Sequence, residues 1–124
     1  MKASLKKCID PIRIRKEVAF MEIEYNKLVR DRIPEIITNA GKGCVTEILS
    51  DEEFLRMVDA KLDEELAEYH QDQSIEELAD LLEVIYTVAQ ARGYTKEQLE
   101  QVRIEKVIKR GAFHEKILLR KVIE

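Results

Sequence analysis

Three signals for the start of an α-helix constrain this chain more than any other feature of its sequence. In each signal, a serine or threonine precedes a glutamate or glutamine by three residues, which is the spacing of a capping box. The pairs are Ser50 with Glu53, Ser74 with Glu77, and Thr95 with Gln98. With Pro34 in the first turn of a shorter helix, they predict helices over about residues 34–40, 50–70, 74–92 and 95–110. A glycine suited to a left-handed exit follows three of them, namely Gly41, Gly93 and Gly111.

The composition agrees with an all-α fold. Charged residues make up 37% and aromatic residues 6% of the 124 residues, with four glycines and two prolines, which disfavours a turn-rich β-sandwich. Short connections between the predicted helices favour a four-helix bundle. We expect residues 21–124 to form this domain. Residues 1–20 lack both helical and strand periodicity, and we expect them to be an optional N-terminal extension.

Two segments outside the predicted helices have the character of strands. Residues 45–49 and 117–123 are rich in β-branched and aliphatic side chains. They can pair as a small two-stranded β ribbon that joins the ends of the domain, although apolar runs of this length are ambiguous between strand and helix.

The sequence also favours one cellular compartment and disfavours one class of binding partner. The longest uninterrupted apolar run is residues 18–21, so neither a membrane span nor a signal-peptide core is expected. Cys8 and Cys44 lie far apart without a CxxC spacing, which favours free thiols in a reducing cytoplasm. A pI of about 5.4 and the lack of a basic stripe with interleaved aromatic residues disfavour nucleic-acid binding.

The net charge of −4 hides a strongly acidic block in the middle of the chain. Residues 51–80 carry 12 acidic and 2 basic side chains, while the segments on either side each carry a net charge of +3. The predicted second and third helices are joined by a very short turn and should fold back as an antiparallel hairpin. Residues at equal distance from that turn lie level with each other. Glu68 then faces Glu77, and Glu65 faces Asp80.

Four carboxylates converging along apolar rows predict a site for a hard divalent cation. Carboxylate oxygens suit Mg²⁺ or Mn²⁺, and Mg²⁺ takes further ligands from water and substrate phosphates. The chain has no Glu-x-x-His motif, which argues against a di-iron carboxylate bundle. Two simpler roles stay open for these carboxylates, because acidic runs are often solvated helix faces and Glu77 could serve only as the capping partner of Ser74.

Four segments, in order, resemble the all-α nucleoside triphosphate pyrophosphohydrolases of the MazG-like superfamily, in particular a small single-domain branch. Residues 64–68 and 77–80, EELAE and ELAD, resemble the EExxE…ExxD signature of that superfamily. The other similar segments are YNKLVRDRIP at 25–34, KLDEE at 61–65 and RGAF at 110–113. The similarity extends over about residues 24–122. The eight residues between Glu68 and Glu77 are fewer than in many members of the superfamily.

The resemblance implies Mg²⁺-dependent cleavage between the α and β phosphates of a nucleoside triphosphate, giving a monophosphate and pyrophosphate, in a house-cleaning role toward non-canonical nucleotides. Glu65, Glu68, Glu77 and Asp80 would hold the metal, with Mn²⁺ as an alternative ion. Glu64, or Glu65 of the cluster itself, would orient the attacking water.

A triphosphate also requires cationic side chains. The candidates are Lys27, Arg30 and Lys61, together with a row on the fourth predicted helix formed by Arg103, Lys106 and Arg110. Lys61 could instead be a salt-bridge partner of the acidic cluster, and the fourth-helix row could be a solvated face.

A helical domain of this size leaves apolar faces uncovered, so we expect a homodimer or a higher homo-oligomer. Two further functions remain open. One is a phosphoribosyl-ATP pyrophosphohydrolase of histidine biosynthesis, and the other is a non-catalytic helical interaction module with an acidic face.

Overall fold

The computed structural model of the protein describes residues 21–124. Within that range the chain is helical, as the sequence predicts, and contains four α-helices. They are α1 (Ile33–Asn39), α2 (Asp51–Gln71), α3 (Ile75–Ala91) and α4 (Lys96–Arg110). The boundaries fall within about two residues of those expected from the capping signals.

Side-chain caps explain where the three long helices begin. The hydroxyls of Ser50 and Ser74 accept hydrogen bonds from backbone N–H groups three residues later, which satisfies donors that a helix start leaves unpaired. Thr95 and Gln98 form the complete reciprocal capping box, with distances of 3.0 and 2.8 Å. At the other end of α4, Gly111 has a φ of +82°, a backbone conformation that favours glycine.

Helices α2 and α3 form an antiparallel hairpin that organises the domain. Only residues 72–74 separate them, so the chain must reverse at once. Far from this turn, Nη2 of Arg92, the residue that follows α3, lies 2.8 Å from Oδ2 of Asp59 in α2. Asp59 lies twelve residues before the end of α2, and Arg92 follows the last residue of α3, so their contact requires the two helices to run back along each other. The antiparallel hairpin expected from the sequence is therefore confirmed.

The buried centre of the described domain is more acidic than apolar. Of residues 21–124, only five are buried, and Ile33 and Val58 are the apolar ones, with 0% and 2% of their surfaces exposed. The other three are carboxylates, namely Glu65, Glu77 and Asp80. In most domains apolar side chains dominate the interior and acidic residues are almost never fully buried unless they are paired. The hairpin therefore packs around a polar centre.

The apolar rows beside these carboxylates remain partly open to solvent. Exposed fractions are 44% for Leu66, 43% for Leu78 and 46% for Leu82. The sequence predicted that the carboxylates converge along apolar rows. In the structure the carboxylates occupy the contact between α2 and α3, and these three leucines remain partly exposed beside them.

The β ribbon expected from residues 45–49 and 117–123 does not form within the chain, and no strand occurs in residues 21–124. Val45 and Ile48 are fully exposed at 102% and 98%, and Ile117 is exposed at 81%. A two-stranded ribbon is marginally stable unless one face packs against another element. Because neither segment packs on the helices, that cover is missing. Among the described residues, none of the helices has the length and apolar character needed to cross a membrane.

Candidate metal centre

Three carboxylate side chains meet between α2 and α3. One ligand oxygen each from Glu65, Glu77 and Asp80 lies within 4.8 Å of the other two. The three residues are exposed by only 3%, 5% and 6% of their surfaces. All three were candidates from the sequence alone. We refer to these three side chains as the acidic cluster.

The hairpin geometry explains why these residues meet. Glu65 lies on the face of α2 that contacts α3, whereas Glu77 and Asp80 are three residues apart and share one face in the first turns of α3. The expected pairing of Glu65 with Asp80 is thus confirmed. Glu68, the fourth expected ligand, is half-buried with its Oε2 buried, but it is not part of the group within 4.8 Å.

Glu77 does not complete the capping box at the start of α3. Its backbone N–H donates to the Ser74 hydroxyl at 3.4 Å, which is one half of the motif. In the other half, the Glu77 carboxylate would accept from the Ser74 N–H, but that N–H donates to the Asp72 carbonyl at 2.6 Å. The Glu77 side chain turns into the acidic cluster instead. A capping role therefore does not account for its carboxylate.

Two oxygens of the cluster are buried without a hydrogen-bond partner in the described part of the chain. They are Oε2 of Glu65 and Oε2 of Glu77. A buried carboxylate oxygen that lacks a donor carries a large desolvation cost, and native proteins seldom leave such atoms unsatisfied without a reason. A bound cation is one arrangement that would satisfy both atoms at once.

Basic side chains surround the acidic cluster. Lys61 Nζ lies 3.2 Å from Glu64 Oε2 and 3.5 Å from Glu65 Oε1, and its side chain is only 12% exposed. Arg30 Nη2 donates to Asp80 Oδ1 at 2.7 Å, so a residue before α1 reaches a residue fifty positions later. Lys27 Nζ lies 3.2 Å from Glu64 Oε1. Three of the expected phosphate ligands are therefore at the site, bound to carboxylates.

This environment raises the pKa of the Glu65 carboxyl group. Burial from water, followed by the negative charge of Glu68, raises the pKa of Glu65 above its ordinary value of 4.5. The charges of Asp80 and Glu64 act in the same direction, and the ammonium group of Lys61 partly opposes them. Lys61 alone thus does not neutralise the site.

The basic row of α4 lies outside this network of ion pairs. Arg103 binds Glu100 of its own helix, with 3.0 Å between Nε and Oε2, and its side chain is 60% exposed. Lys106 and Arg110 are exposed as well. The phosphate-binding role expected for Arg103, Lys106 and Arg110 stays a prediction.

The members of the cluster were identifiable from the sequence, but the pairing of Lys27 and Arg30 with nearby carboxylates was not. The complementary charges of the acidic block and its basic flanks were the available signal, and they did not specify which residues would meet. Contacts over such separations depend on how the segment before α1 packs against the hairpin.

The donor set fits a hard divalent cation. At a metal–oxygen distance of about 2.1 Å, two oxygens bound to one Mg²⁺ are about 3.0 Å apart when adjacent and about 4.2 Å apart when opposite. The cluster oxygens lie within 4.8 Å of one another, so side-chain rotations that close these separations by up to about 2 Å would bring them into one coordination shell. A site with oxygen ligands only also suits Mg²⁺ and Mn²⁺ better than it suits softer metals.

Comparisons with known proteins supply no activity for this site. The sequence profiles of known protein families do not match the chain, and no solved structure matches it. A protein of Mycolicibacterium smegmatis (strain ATCC 700084 / mc(2)155), described as uncharacterized, is 57% identical over 42 residues. The aligned segment covers 34% of this chain and 43% of the relative, which is less than half of that protein. The function of the chain must therefore be inferred from the site itself.

Proposed function

We propose that this chain is a cytoplasmic, Mg²⁺-dependent nucleoside triphosphate pyrophosphohydrolase with a MazG-like helical fold. The observation that carries the proposal is the acidic cluster, which combines three buried carboxylates with two oxygens that lack a donor in the described residues. The four sequence segments that resemble the MazG-like superfamily add support, because they contain the same three residues.

Glu65, Glu77 and Asp80 would hold the metal. Glu68 is close enough to add negative charge to the site. Bound there, Mg²⁺ would neutralise phosphate charge and lower the pKa of a coordinated water. The carboxylates have the required character because they are acceptor-only groups when ionised and are already gathered on one interhelical face.

Glu64 is suited to accept a proton from the attacking water. Its side chain is 20% exposed, so it borders the buried cluster and also reaches solvent. Lys27 and Lys61 each lie 3.2 Å from one of its oxygens, and a general base must be held within hydrogen-bond reach of the proton that it takes. The same two lysines keep the Glu64 carboxylate in one orientation.

Lys27 and Arg30 are suited to bind the triphosphate. Their side chains are 41% and 38% exposed, so both reach solvent at the edge of the cluster. An Arg guanidinium can bind two phosphate oxygens at once, whereas a lysine ammonium acts as a point charge. Both groups would need to leave their present carboxylate partners to make these contacts.

The burial of the cluster disfavours the alternative of an acidic face for a basic protein partner. An interaction surface of that kind must present its charges to solvent, whereas the three cluster residues are 3–6% exposed. The second alternative, hydrolysis of phosphoribosyl-ATP, uses the same type of site and differs only in substrate.

Pyrophosphate release from a panel of substrates tests the proposal. The purified protein is incubated with Mg²⁺ and with canonical nucleotides, non-canonical nucleotides or phosphoribosyl-ATP, and pyrophosphate and phosphate are measured separately. We expect pyrophosphate and a monophosphate from at least one nucleoside triphosphate. Glu65→Gln and Asp80→Asn should each lower the rate by at least about 100-fold, because each removes a charged ligand.

Glu76→Gln is the matched control, because Glu76 is an exposed neighbour in the same turn of α3 as Glu77. Its rate should equal that of the unmodified protein. Equal activity in all three variants would refute the assigned site. Turnover of phosphoribosyl-ATP alone would support the alternative substrate, and no turnover together with no metal binding by calorimetry would refute an enzymatic role.

A further inference from the structure

Two segments outside the helices expose apolar side chains. In the segment after α4, exposed fractions range from 71% to 98% for Phe113, Ile117, Leu118, Leu119, Val122 and Ile123. In the segment between α1 and α2, Val45 and Ile48 are fully exposed. Scattered single apolar residues on a surface are normal, but consecutive ones of this size indicate a contact surface.

The backbone of both segments is also available for pairing. Among the described residues, no backbone–backbone hydrogen bond involves residues 45–48 or 117–123. An extended segment with unpaired N–H and C=O groups acts as a strand edge that can receive another strand.

Side-chain complementarity favours one antiparallel register between the two segments. With Glu47 opposite Arg120, Val45 lies opposite Val122 and Ile48 lies opposite Leu119. Apolar side chains then pair with apolar ones, and the single acidic residue of the first segment meets an arginine. A shift by one residue in either direction places Val45 or Ile48 opposite a basic residue. Either shift would replace an apolar pair with an apolar side chain opposite a basic one, which disfavours it.

We propose that residues 117–123 of one copy of this chain pair with residues 45–49 of a second copy. Within one chain the two segments are both solvent-exposed, so each remains without its complement. Two copies related by a twofold axis would form two such ribbons, and packing of the two ribbons on each other would supply the cover that a single ribbon lacks. A different partner protein would cover only one of the two segments at a time.

The available apolar area agrees with a stable dimer. A large aliphatic or aromatic side chain offers roughly 60–120 Å² of apolar surface for burial. Seven of these exposed side chains lie within the two paired segments, and together they offer roughly 400–850 Å² per copy. Stable interfaces bury about 800 Å² per partner, which lies within that range.

Disulfide trapping tests both the partner and the register. In the proposed pairing, the natural and exposed Cys44 lies opposite Ile123 of the other copy. Ile123→Cys is made in full-length protein that also carries Cys8→Ser, and the thiols are oxidised mildly. We expect a covalent dimer on a non-reducing gel. In Val122→Cys, the matched control, the thiol is on the opposite face of the strand and the dimer should be at least about tenfold less abundant.

Sedimentation equilibrium of the unmodified protein provides a second measurement. The mass should be twice the 14.5 kDa of one chain, and Leu119→Asp should weaken association at least about tenfold. Leu119 is 72% exposed in the single chain, so this change removes no internal packing and circular dichroism should remain unchanged. A monomeric mass, a disulfide formed within one chain, or equal trapping in both cysteine variants would overturn the proposal. Neither measurement involves metal or nucleotide.

Discussion

Replacing one buried carboxylate of the acidic cluster should stabilise the metal-free protein. We consider Glu77→Gln, which removes a charge and keeps the size of the side chain. Two full charges 4.8 Å apart repel each other by about 3.5 kcal/mol at an effective dielectric constant of 20. The nearby Arg30 and Lys61 offset part of this repulsion, and a poorly satisfied buried amide costs about 1 kcal/mol. We therefore expect a net gain in the free energy of unfolding of about 1–2 kcal/mol.

Thermal unfolding in the presence and absence of Mn²⁺ measures this effect. Without metal, Glu77→Gln should unfold about 4–8 °C higher for each kcal/mol gained. At a metal concentration about 100 times the dissociation constant, binding adds about 2.7 kcal/mol to the stability of the unmodified protein. The Glu77→Gln variant lacks one charged ligand, so metal binding should add much less to its stability. The order of the two melting temperatures should therefore reverse when Mn²⁺ is added.

Glu76→Gln is again the control, because it removes the same charge from the first turn of α3 and has the same effect on the helix dipole. Its melting temperature relative to the unmodified protein should not depend on metal. If Glu77→Gln destabilised the metal-free protein, or if Mn²⁺ raised all three melting temperatures equally, the acidic cluster would not be a repulsive cation site.

Three further predictions concern pH, the cluster cations and the caps. Burial and the charge of Glu68 raise the pKa of Glu65, so the cost of ionising Glu65 is present at neutral pH and disappears as the pH falls toward 4.5. In urea titrations without metal, the advantage of Glu65→Gln over the unmodified protein should shrink over this range, and a constant advantage would contradict the shift. Lys61→Met should lower the free energy of unfolding of the metal-free protein by about 3 kcal/mol. The loss should exceed that of Lys27→Met, because the Lys61 side chain is far less exposed. Equal losses in the two variants would argue against a role of Lys61 in balancing the acidic cluster. Thr95→Ala should cost about 1 kcal/mol through the lost α4 cap, and unchanged helicity and melting temperature would disprove that contribution.

The helices and the cluster were predictable because both depend on local rules. A cap residue and its partner three positions later define where a helix starts, so Ser50, Ser74 and Thr95 located α2, α3 and α4 closely. The short connection between α2 and α3 then set which residues lie level. Glu65 and Asp80 followed from counting along that hairpin.

Features that depend on distant contacts were not predictable in the same way. The pairing of Arg30 with Asp80 joins residues fifty positions apart and requires the segment before α1 to lie across the hairpin. The failed β ribbon has the same origin, because a β-branched and aliphatic composition indicates that a segment can be a strand but not which surface covers it. The position of the Glu77 carboxylate was likewise left open, because the capping-box pattern does not show that the Ser74 N–H donates to the Asp72 carbonyl instead.

The ion pairs of Lys27 and Arg30 have a consequence for how metal and substrate would bind. A metal ion that takes oxygens from the acidic cluster would release Arg30 from Asp80, and a triphosphate that takes Lys27 and Arg30 would release Glu64 and Asp80. Each event removes an obstacle to the other, so the two affinities are linked and must increase by the same factor. Such a site would bind metal more tightly when triphosphate is present, and triphosphate more tightly when metal is present, than it binds either one alone.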